Sequence, residues 1–205
     1  MKKLTKIIIL SLFSLSLMAF VSMNLPGGIK LFSGNASILK GEKEICLKYD
    51  YSDMKVGGKT EEAYIDEKVK EKNKKEPGSG EKFKEEWFKN RTEKYQPKFE
   101  DLLNKYIADG GVSVGEKYTS AKYTIILKTT FTEPGFNIGI KSKPALINVE
   151  ILIVETADNT IVKSKLTMDK VPGTPVYDTG LRITEAYAKC GKSLGAYLKK
   201  NAYGK

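Results

Sequence analysis

The feature that most constrains the fold is the strict alternation of apolar and polar side chains in the second half of the chain. Three stretches show it, at residues 123–131, 147–153 and 162–168. In the first stretch, Ile125 and Leu127 alternate with the polar Thr124 and Lys128. A period of two is typical of a β-strand with one buried face and one hydrated face. These stretches therefore predict three strands of one sheet.

Helical spacing dominates elsewhere, and residues 61–73, 83–106 and 179–200 are predicted to be helices. Pro97 interrupts the second of them and predicts a kink there, or two helices that meet at Gln96, because proline removes a backbone donor and clashes with the preceding turn. A further strand is expected at 43–51. Because every clear strand alternates, we predict an α+β fold of two layers, an antiparallel or mixed sheet of about four strands with helices packed on one face, in one domain over residues 36–200.

Residues 1–22 have the form of a secretory signal peptide, with a lysine-rich start and an apolar run from Ile7 to about Met23. The run of about 17 residues is short for a spanning helix, which needs about 20. The cleavage site is poor, because Ala19 has the bulky Leu17 two positions before it. An uncleaved membrane anchor is the alternative, and only then is membrane contact predicted. Either form predicts export to the periplasm or the cell exterior.

Two cysteines, Cys46 and Cys190, allow one disulfide in an exported chain. Cys46 lies on the polar side of its predicted strand with Glu44 and Lys48, whereas Cys190 lies on the apolar stripe of the last predicted helix. A bond would require the two to meet at a sheet edge. The disulfide and two separate thiols both remain open.

Composition excludes several functions. The chain has no histidine, so Ser-His-Asp and Cys-His catalysis and histidine-ligated metal sites are excluded, and two cysteines alone cannot form a zinc site. The net charge of +10 comes almost entirely from lysine, with Arg91 and Arg182 the only arginines, so specific nucleic-acid binding is not predicted. Pairs of carboxylates lie among lysines on polar faces, and no phosphate-binding glycine loop occurs. We predict no enzyme activity, cofactor or metal.

The segment "TEPGFNIGIKSKPA", residues 132–145, is a connector that carries an alternating apolar pattern. It is the predicted partner-binding loop, with a site made of Pro134, Gly135, Phe136, Asn137, Ile138 and Ile140. The structural alternative is a short edge strand, or a segment folded over the helices. Loop 171–177 is expected nearby, and Arg182 after it is expected to bind a carboxylate or phosphate, or to pair with Asp178.

The hydrated face of the sheet is predicted to carry charged side chains of both signs, which are Glu44, Lys48, Lys122, Lys128, Glu150, Lys163 and Lys165. Such a face suits an anionic envelope glycan, or it is stabilised by charge pairs across the strands. The leading prediction is a non-enzymatic exported envelope protein that acts as a protein-binding or accessory module. The alternative is a small-ligand binder or enzyme with a pocket between helices and sheet, where Tyr95, Tyr106 or Tyr187 would supply polar groups.

Four stretches carry a family resemblance: "KYDYSDM", "EEWFKNRTEKYQPKFEDLLNKY", "TEPGFNIGIKSKPA" and "RITEAYAKCGKSLGAYLKK". Through them, residues 36–200 resemble a family of uncharacterised small exported proteins from Bacteroidota. The element order is also similar to the periplasmic α/β domains of outer-membrane lipoproteins that regulate cell-wall synthases. The resemblance implies export, but its motifs carry no established mechanism and transfer no catalytic residue. This chain departs from those lipoproteins because no cysteine follows its apolar run.

Overall fold

The computed structural model describes residues 27–204, so the predicted signal segment at 1–22 lies outside the described residues. The strands are β1 (Ile29–Gly34), β2 (Glu44–Asp50), β3 (Lys55–Val56), β4 (Lys59–Thr60), β5 (Ser113–Gly115), β6 (Tyr123–Glu133), β7 (Phe136–Asn137), β8 (Ser142–Lys143), β9 (Leu146–Glu155) and β10 (Val162–Pro172). The α-helices are α1 (Glu61–Lys75), α2 (Ser79–Asn90), α3 (Gln96–Ile107) and α4 (Thr179–Asn201). Within residues 27–204, no helix is long and apolar enough to cross a membrane.

Eight of the described strands form one mixed sheet. Its main path runs β1-β10-β9-β6-β2-β5, with β3 paired to β6 and β4 paired to β3. The pairs β10–β9 and β6–β9 are antiparallel, whereas β2 pairs with β6 in parallel. The prediction of a mixed sheet with helices is confirmed, but the predicted number of about four strands is wrong. The additional strands β1, β3, β4 and β5 are short and acquire their conformation from pairing, which leaves no alternating pattern in the sequence.

The long central strands bury alternate side chains, as predicted. On β6 and β9, the side chains of Ile125, Leu127 and Ile151 are fully buried. Helix α4 contacts β9 and β10 on this side and packs along α3. Gly191 lets α4 approach α3 closely, because a Cβ at this position would lie 2.2 Å from the carbonyl oxygen of Phe99. The alternation thus produces one core, between this face of the sheet and the helices.

The opposite face of the sheet carries ion pairs between neighbouring strands. Lys128 lies 3.6 Å from a carboxylate oxygen of Asp50, and Lys165 lies 2.8 Å from a carboxylate oxygen of Glu150. Lys163 pairs with Glu155 at 2.6 Å. Charge pairs across strands stabilise a hydrated sheet face and neutralise its lysines. These contacts agree with the interpretation of this face as one stabilised by charge pairs across the strands.

The predicted break at Pro97 is a π-helical turn over Arg91–Tyr95 that joins α2 to α3. The amide of Gln96 bonds the carbonyl of Arg91, and Pro97 lies in the first turn of α3, where no backbone donor is needed. The wider turn places the Arg91 guanidinium over the Tyr51 ring, 4.2 Å from its centre, and next to Glu61. A single proline thus shapes the junction of two helices.

Both cysteines are free and buried. Cys190 belongs to the hydrophobic core and lies beside Met168, whereas Cys46 lies outside that core. On β2, side-chain alternation directs Ile45 and Leu47 into the core and Cys46 to the other face of the sheet. The disulfide considered for Cys46 and Cys190 is therefore not formed in the structure, because the sheet separates the two thiols.

Candidate functional site

The predicted binding loop folds as a small hairpin that stands off the main sheet. We call residues 134–145 the clasped hairpin; it contains β7 and β8, which pair with each other. Gly135 makes the bend after β6: its φ is +63°, and a Cβ there would lie 2.3 Å from the carbonyl oxygen of Lys143. Only glycine fits such a left-handed, crowded position without strain. The loop is thus a built element with its own backbone pairing.

Arg182, in the first turn of α4, fixes this hairpin to loop 171–177. Its side chain is 3% exposed. Each of its five N–H donors bonds an acceptor of the protein: the carbonyl oxygens of Pro134 (3.0 Å), Gly135 (3.3 Å), Val176 (2.7 Å) and Tyr177 (2.7 Å) and the hydroxyl of Thr179 (2.8 Å). We call this arrangement the clasp. Burial lowers the pKa of the guanidinium, and the nearby Asp178 partly offsets that effect.

The clasp changes the role predicted for Arg182. With its donors used by the protein, Arg182 does not present a free site for a carboxylate or phosphate. Asp178 instead caps α4, because its side chain accepts from the amide of Leu181 at 2.7 Å. A further bond joins the hairpin to loop 171–177: the side-chain Nδ2 of Asn137 donates to the backbone carbonyl of Pro175 at 2.6 Å. The two loops that the sequence placed near each other therefore form one rigid wall.

The wall displays large apolar side chains to solvent. Phe136 is 43% exposed, Ile138 63%, Ile140 90% and Tyr177 74%. Pro134, in contrast, is buried, and Gly135 and Asn137 are partly buried, because these three residues form the base of the hairpin. All six predicted loop residues thus lie together in the structure. Pro134, Gly135 and Asn137 form the base, and Phe136, Ile138 and Ile140 expose apolar side chains to solvent. Large apolar side chains held rigidly in water typically mark a contact surface.

A cleft of about 480 Å³ opens between this wall and the α1–α2 pair. Phe136 and Tyr177 line one side, and Tyr64, Phe83 and Trp87 line the other. The ring centres of Tyr64 and Trp87 are 5.2 Å apart and those of Phe83 and Trp87 are 6.0 Å apart. We call this space the aromatic cleft. Its geometry offers ring faces and edges on both sides to an inserted group.

The α1–α2 side of the cleft is held by a partly buried acceptor, Glu61. The indole nitrogen of Trp87 donates to a carboxylate oxygen of Glu61 at 2.6 Å, and Arg91 bonds the same oxygen. Burial also raises the pKa of Tyr64 to about 12, so its hydroxyl stays protonated near neutral pH. Tyr64 and Trp87 therefore act as a neutral aromatic surface in a fixed position.

Charged side chains line the rim of the cleft along α1. The ammonium of Lys68 lies 2.6 Å and that of Lys75 3.5 Å from the two carboxylate oxygens of Glu71, and the hydrogen bond from Lys68 lowers the pKa of that carboxyl. Lys72 lies over the Phe83 ring, 5.3 Å from its centre. Among the described residues no carboxylate lies within ion-pair distance of Lys72. The rim therefore offers one ammonium group without a carboxylate partner.

The space between helices and sheet, predicted as an alternative pocket, is almost filled. A void of about 10 Å³ remains beside Tyr51, Tyr95 and Tyr187, too small to hold more than one water molecule. The rings of Tyr95 and Tyr187 stack 5.2 Å apart, and the Tyr187 and Thr129 hydroxyls bond at 2.7 Å. Burial raises the pKa of both tyrosines. These groups thus serve core packing.

Sequence reasoning did not find the aromatic cleft. Phe83 and Trp87 lie in the predicted helix 83–106 and Tyr64 lies in the predicted helix 61–73, and helical spacing does not indicate a cleft between them. Tyr177 gave no signal beyond its place in a proline-rich loop. In the part of the chain that the structure describes, no group of three or more acidic or cysteine side chains is suited to a metal ion.

Comparison with known proteins gives no family. No family model matches the chain, and no curated protein matches it. Among solved structures, a PelC dodecamer from Paraburkholderia phytofirmans is 14% identical with a TM-score of 0.39, over 83% of this chain and 98% of that chain. A variant of the same PelC gives 14% identity and a TM-score of 0.40, over 83% and 99%. Likeness at this level carries no functional argument.

Proposed function

We propose that this protein is a non-enzymatic, exported binding module that holds an extended segment of a partner protein in the aromatic cleft. The observation that carries the proposal is the position of Phe136 and Tyr177. Their exposed rings stand on a wall fixed by the Arg182 clasp and face the aromatic side chains of α1 and α2. Rigid aromatic anchors lose little conformational entropy on binding, and they dominate many protein interfaces.

The chemistry of the cleft favours binding over catalysis. Its lining consists of aromatic rings and of charged side chains that mostly pair with one another, as Glu71 does with Lys68 and Lys75. Burial holds the pKa of Tyr64 far from neutral pH, where it cannot exchange a proton efficiently. Within the described residues, the lining contains neither a histidine nor a cysteine. These properties suit reversible binding of a ligand that the protein does not convert chemically.

The rim indicates an acidic partner segment. Lys72 lacks a carboxylate partner among the described residues and lies against Phe83, so a carboxylate entering the cleft would meet an ammonium group beside an aromatic ring. Lys68 and Lys75 lie seven residues apart on α1, a distance of about 10 Å along a helix. Three residues of an extended chain span about the same length. We therefore expect an acidic and apolar segment of a few residues to fill the cleft.

A small ligand is the second candidate, because a cleft of about 480 Å³ lies in the size range of small-molecule sites. The predicted glycan platform has weaker support. Four lysines of the hydrated sheet face, Lys122, Lys128, Lys163 and Lys165, are paired with carboxylates. Binding of an anionic glycan to that face stays a prediction and is not the function we propose.

The test uses chemical cross-linking in intact envelopes, followed by capture of the tagged protein and mass spectrometry. Phe136→Ala is expected to reduce recovery of the cross-linked partner at least tenfold. Phe32→Ala is the matched control, since Phe32 is 74% exposed on β1, away from the cleft, and its removal is expected to leave recovery unchanged. Equal recovery from both variants would contradict the proposal. A dialysable compound in place of a protein would favour the small-ligand alternative.

A further inference from the structure

We propose that the tip of the clasped hairpin, formed by Ile138, Ile140 and Lys141, contacts the surface of an anionic lipid bilayer. The inference goes beyond the proposed function and uses other residues. Phe136 lines the aromatic cleft, whereas Ile138 and Ile140 do not. The prediction from sequence limited membrane contact to the N-terminal segment. The structure supplies a second point of contact and a reason for its position.

The described chain begins at the end of the sheet from which the hairpin emerges. The backbone amide of Gly27 donates to the carbonyl of Asp169, near the end of β10, at 2.7 Å. A Cβ placed on Gly27 would lie 3.4 Å from the Pro172 side chain. Pro172 pairs with Leu146, and Leu146 pairs with Glu133, the last residue of β6 before the hairpin. Adjacent strands lie about 4.8 Å apart, so Pro172 and Glu133 are separated by about 10 Å. The chain therefore enters the sheet at the edge from which the hairpin emerges.

A short connecting segment separates Gly27 from the apolar run near the N-terminus. Only three residues separate Met23, at the end of the apolar run, from Gly27. Covalent geometry limits four Cα–Cα steps to about 14 Å. An apolar run placed in a bilayer would therefore hold the Gly27 end of the sheet close to the membrane surface. The hairpin, which leaves the same end, would lie at the membrane too.

The tip of the hairpin combines exposed apolar side chains with bonded backbone amides. Ile140 is 90% exposed and Ile138 63%, which makes them the most exposed apolar side chains of the hairpin. Their backbone amides are already satisfied: Ile138 donates to the carbonyl of Lys141 at 3.0 Å, and Ile140 donates to that of Ile138 at 3.1 Å. The amide of Gly139 donates to the Asn137 side chain at 2.9 Å. Because the amide donors of residues 138–140 are bonded, this part of the tip enters an apolar boundary at lower cost.

Lysines without a carboxylate partner lie at this end of the protein. Lys141 follows the tip, and Lys170 lies at the end of β10; both are exposed, and among the described residues neither has a carboxylate within ion-pair distance. Nearby lysines with partners are Lys143, paired with Glu133 at 3.0 Å, and Lys30, paired with Asp169 at 3.3 Å. One unpaired ammonium group at the apolar tip and a second at the same end of the sheet complement anionic headgroups and not a neutral lipid surface. The occupant that fits is therefore an anionic bilayer.

The test places an environment-sensitive fluorophore at the tip of the full chain, through Ile140→Cys, in vesicles of phosphatidylethanolamine and phosphatidylglycerol. The unsubstituted chain reports background labelling of Cys46 and Cys190, both of which are buried. Lys40→Cys is the matched position, because Lys40 is exposed and precedes β2, whose start lies at the opposite end of the sheet. Brominated lipids then measure contact with the bilayer by quenching.

The expected result is a blue-shifted emission and several-fold stronger quenching for the label at 140 than for the label at 40. Lys141→Glu should weaken the effect, as should vesicles of phosphatidylcholine alone. Equal, weak quenching at both positions would overturn the inference. So would a label at 140 that stays in water on vesicles but is shielded after addition of envelope proteins, because the tip would then bind protein. Neither outcome affects the Phe136 test of the aromatic cleft.

Discussion

Arg182 donates a hydrogen bond from its Nε to the carbonyl oxygen of Pro134 across 3.0 Å, which joins the first turn of α4 to the base of the clasped hairpin. The two residues are 48 positions apart in the chain. A buried guanidinium that is bonded mainly to backbone carbonyls holds those carbonyls in place whatever their side chains are. This bond therefore links the rigid core to the surface that displays Phe136.

Replacement of Arg182 by lysine should release the hairpin. Lysine keeps the charge but has three donors in place of five, so at least two of the five acceptors lose their partner, and at least one of these is a carbonyl oxygen. We expect the free energy of unfolding to fall by about 2–4 kcal/mol. Amide hydrogen exchange should also accelerate in residues 134–145. Chemical denaturation and exchange measured by mass spectrometry would check both effects.

The control for that change is Lys200→Ala, on the exposed last turns of α4. It should alter neither stability nor exchange in the hairpin. If Arg182→Lys destabilised the protein while exchange in residues 134–145 stayed slow, the hairpin would be held by something other than the clasp.

Gly191→Ala should force α3 and α4 apart. The new methyl group would lie 2.2 Å from the carbonyl oxygen of Phe99, which is backbone and cannot rotate away. Overpacking of this kind costs about 1–3 kcal/mol of stability. Gly58→Ala is the matched control, because no heavy atom lies within 4 Å of its Cβ position. Similar melting temperatures for the two variants would contradict the close approach of the helices.

The central strands could be predicted because one physical rule governs them. Side chains of β6 and β9 alternate between a buried and a hydrated face, so the pattern is written in consecutive residues. The rule fails for β1, where Leu31 and Phe32 are 49% and 74% exposed. That strand exists because its backbone pairs with β10. Edge pairing depends on a partner strand more than 100 residues away and leaves no local signature.

Of the candidate site, the hairpin could be predicted from the sequence, but the aromatic cleft and the clasp could not. The apolar hairpin was evident, because Phe136, Ile138 and Ile140 alternate within one short segment. The aromatic cleft was not, because its two sides come from distant segments that include Tyr64 and Tyr177. The clasp was also missed, since Arg182 bonds carbonyl oxygens that every residue type carries. Contacts made to the backbone cannot be read from a single sequence.

Both thiols should be unreactive in the folded protein. Burial raises the pKa of the Cys190 thiol, and Cys46 is only 2% exposed. We expect no reaction with Ellman's reagent under native conditions, and two thiols per chain after unfolding without reductant. Reductant should leave the melting temperature unchanged. A disulfide would instead give no thiol after unfolding, and its reduction would remove about 2–4 kcal/mol of stability.

Glu100, on α3, should make the protein less stable as the pH rises. Burial raises the pKa of its carboxyl above the ordinary value of 4.5, and the charge of Glu116 adds to the effect while Lys117 offsets part of it. The folded state therefore binds this proton more tightly than the unfolded state, so the contribution to stability is present below about pH 4.5 and is lost as the pH rises through the raised pKa.

Glu100→Gln removes the charge without changing the shape of the side chain. The variant should melt at a higher temperature than the unsubstituted protein near pH 7, and the difference should vanish toward pH 4, where Glu100 is protonated in both states. Asp101→Asn, at the exposed neighbouring position, is the matched control and should show no such gain. The measurement is thermal unfolding followed by circular dichroism across this pH range. A melting temperature lowered by Glu100→Gln at pH 7 would show that the ionised carboxylate stabilises the fold, contrary to the burial argument.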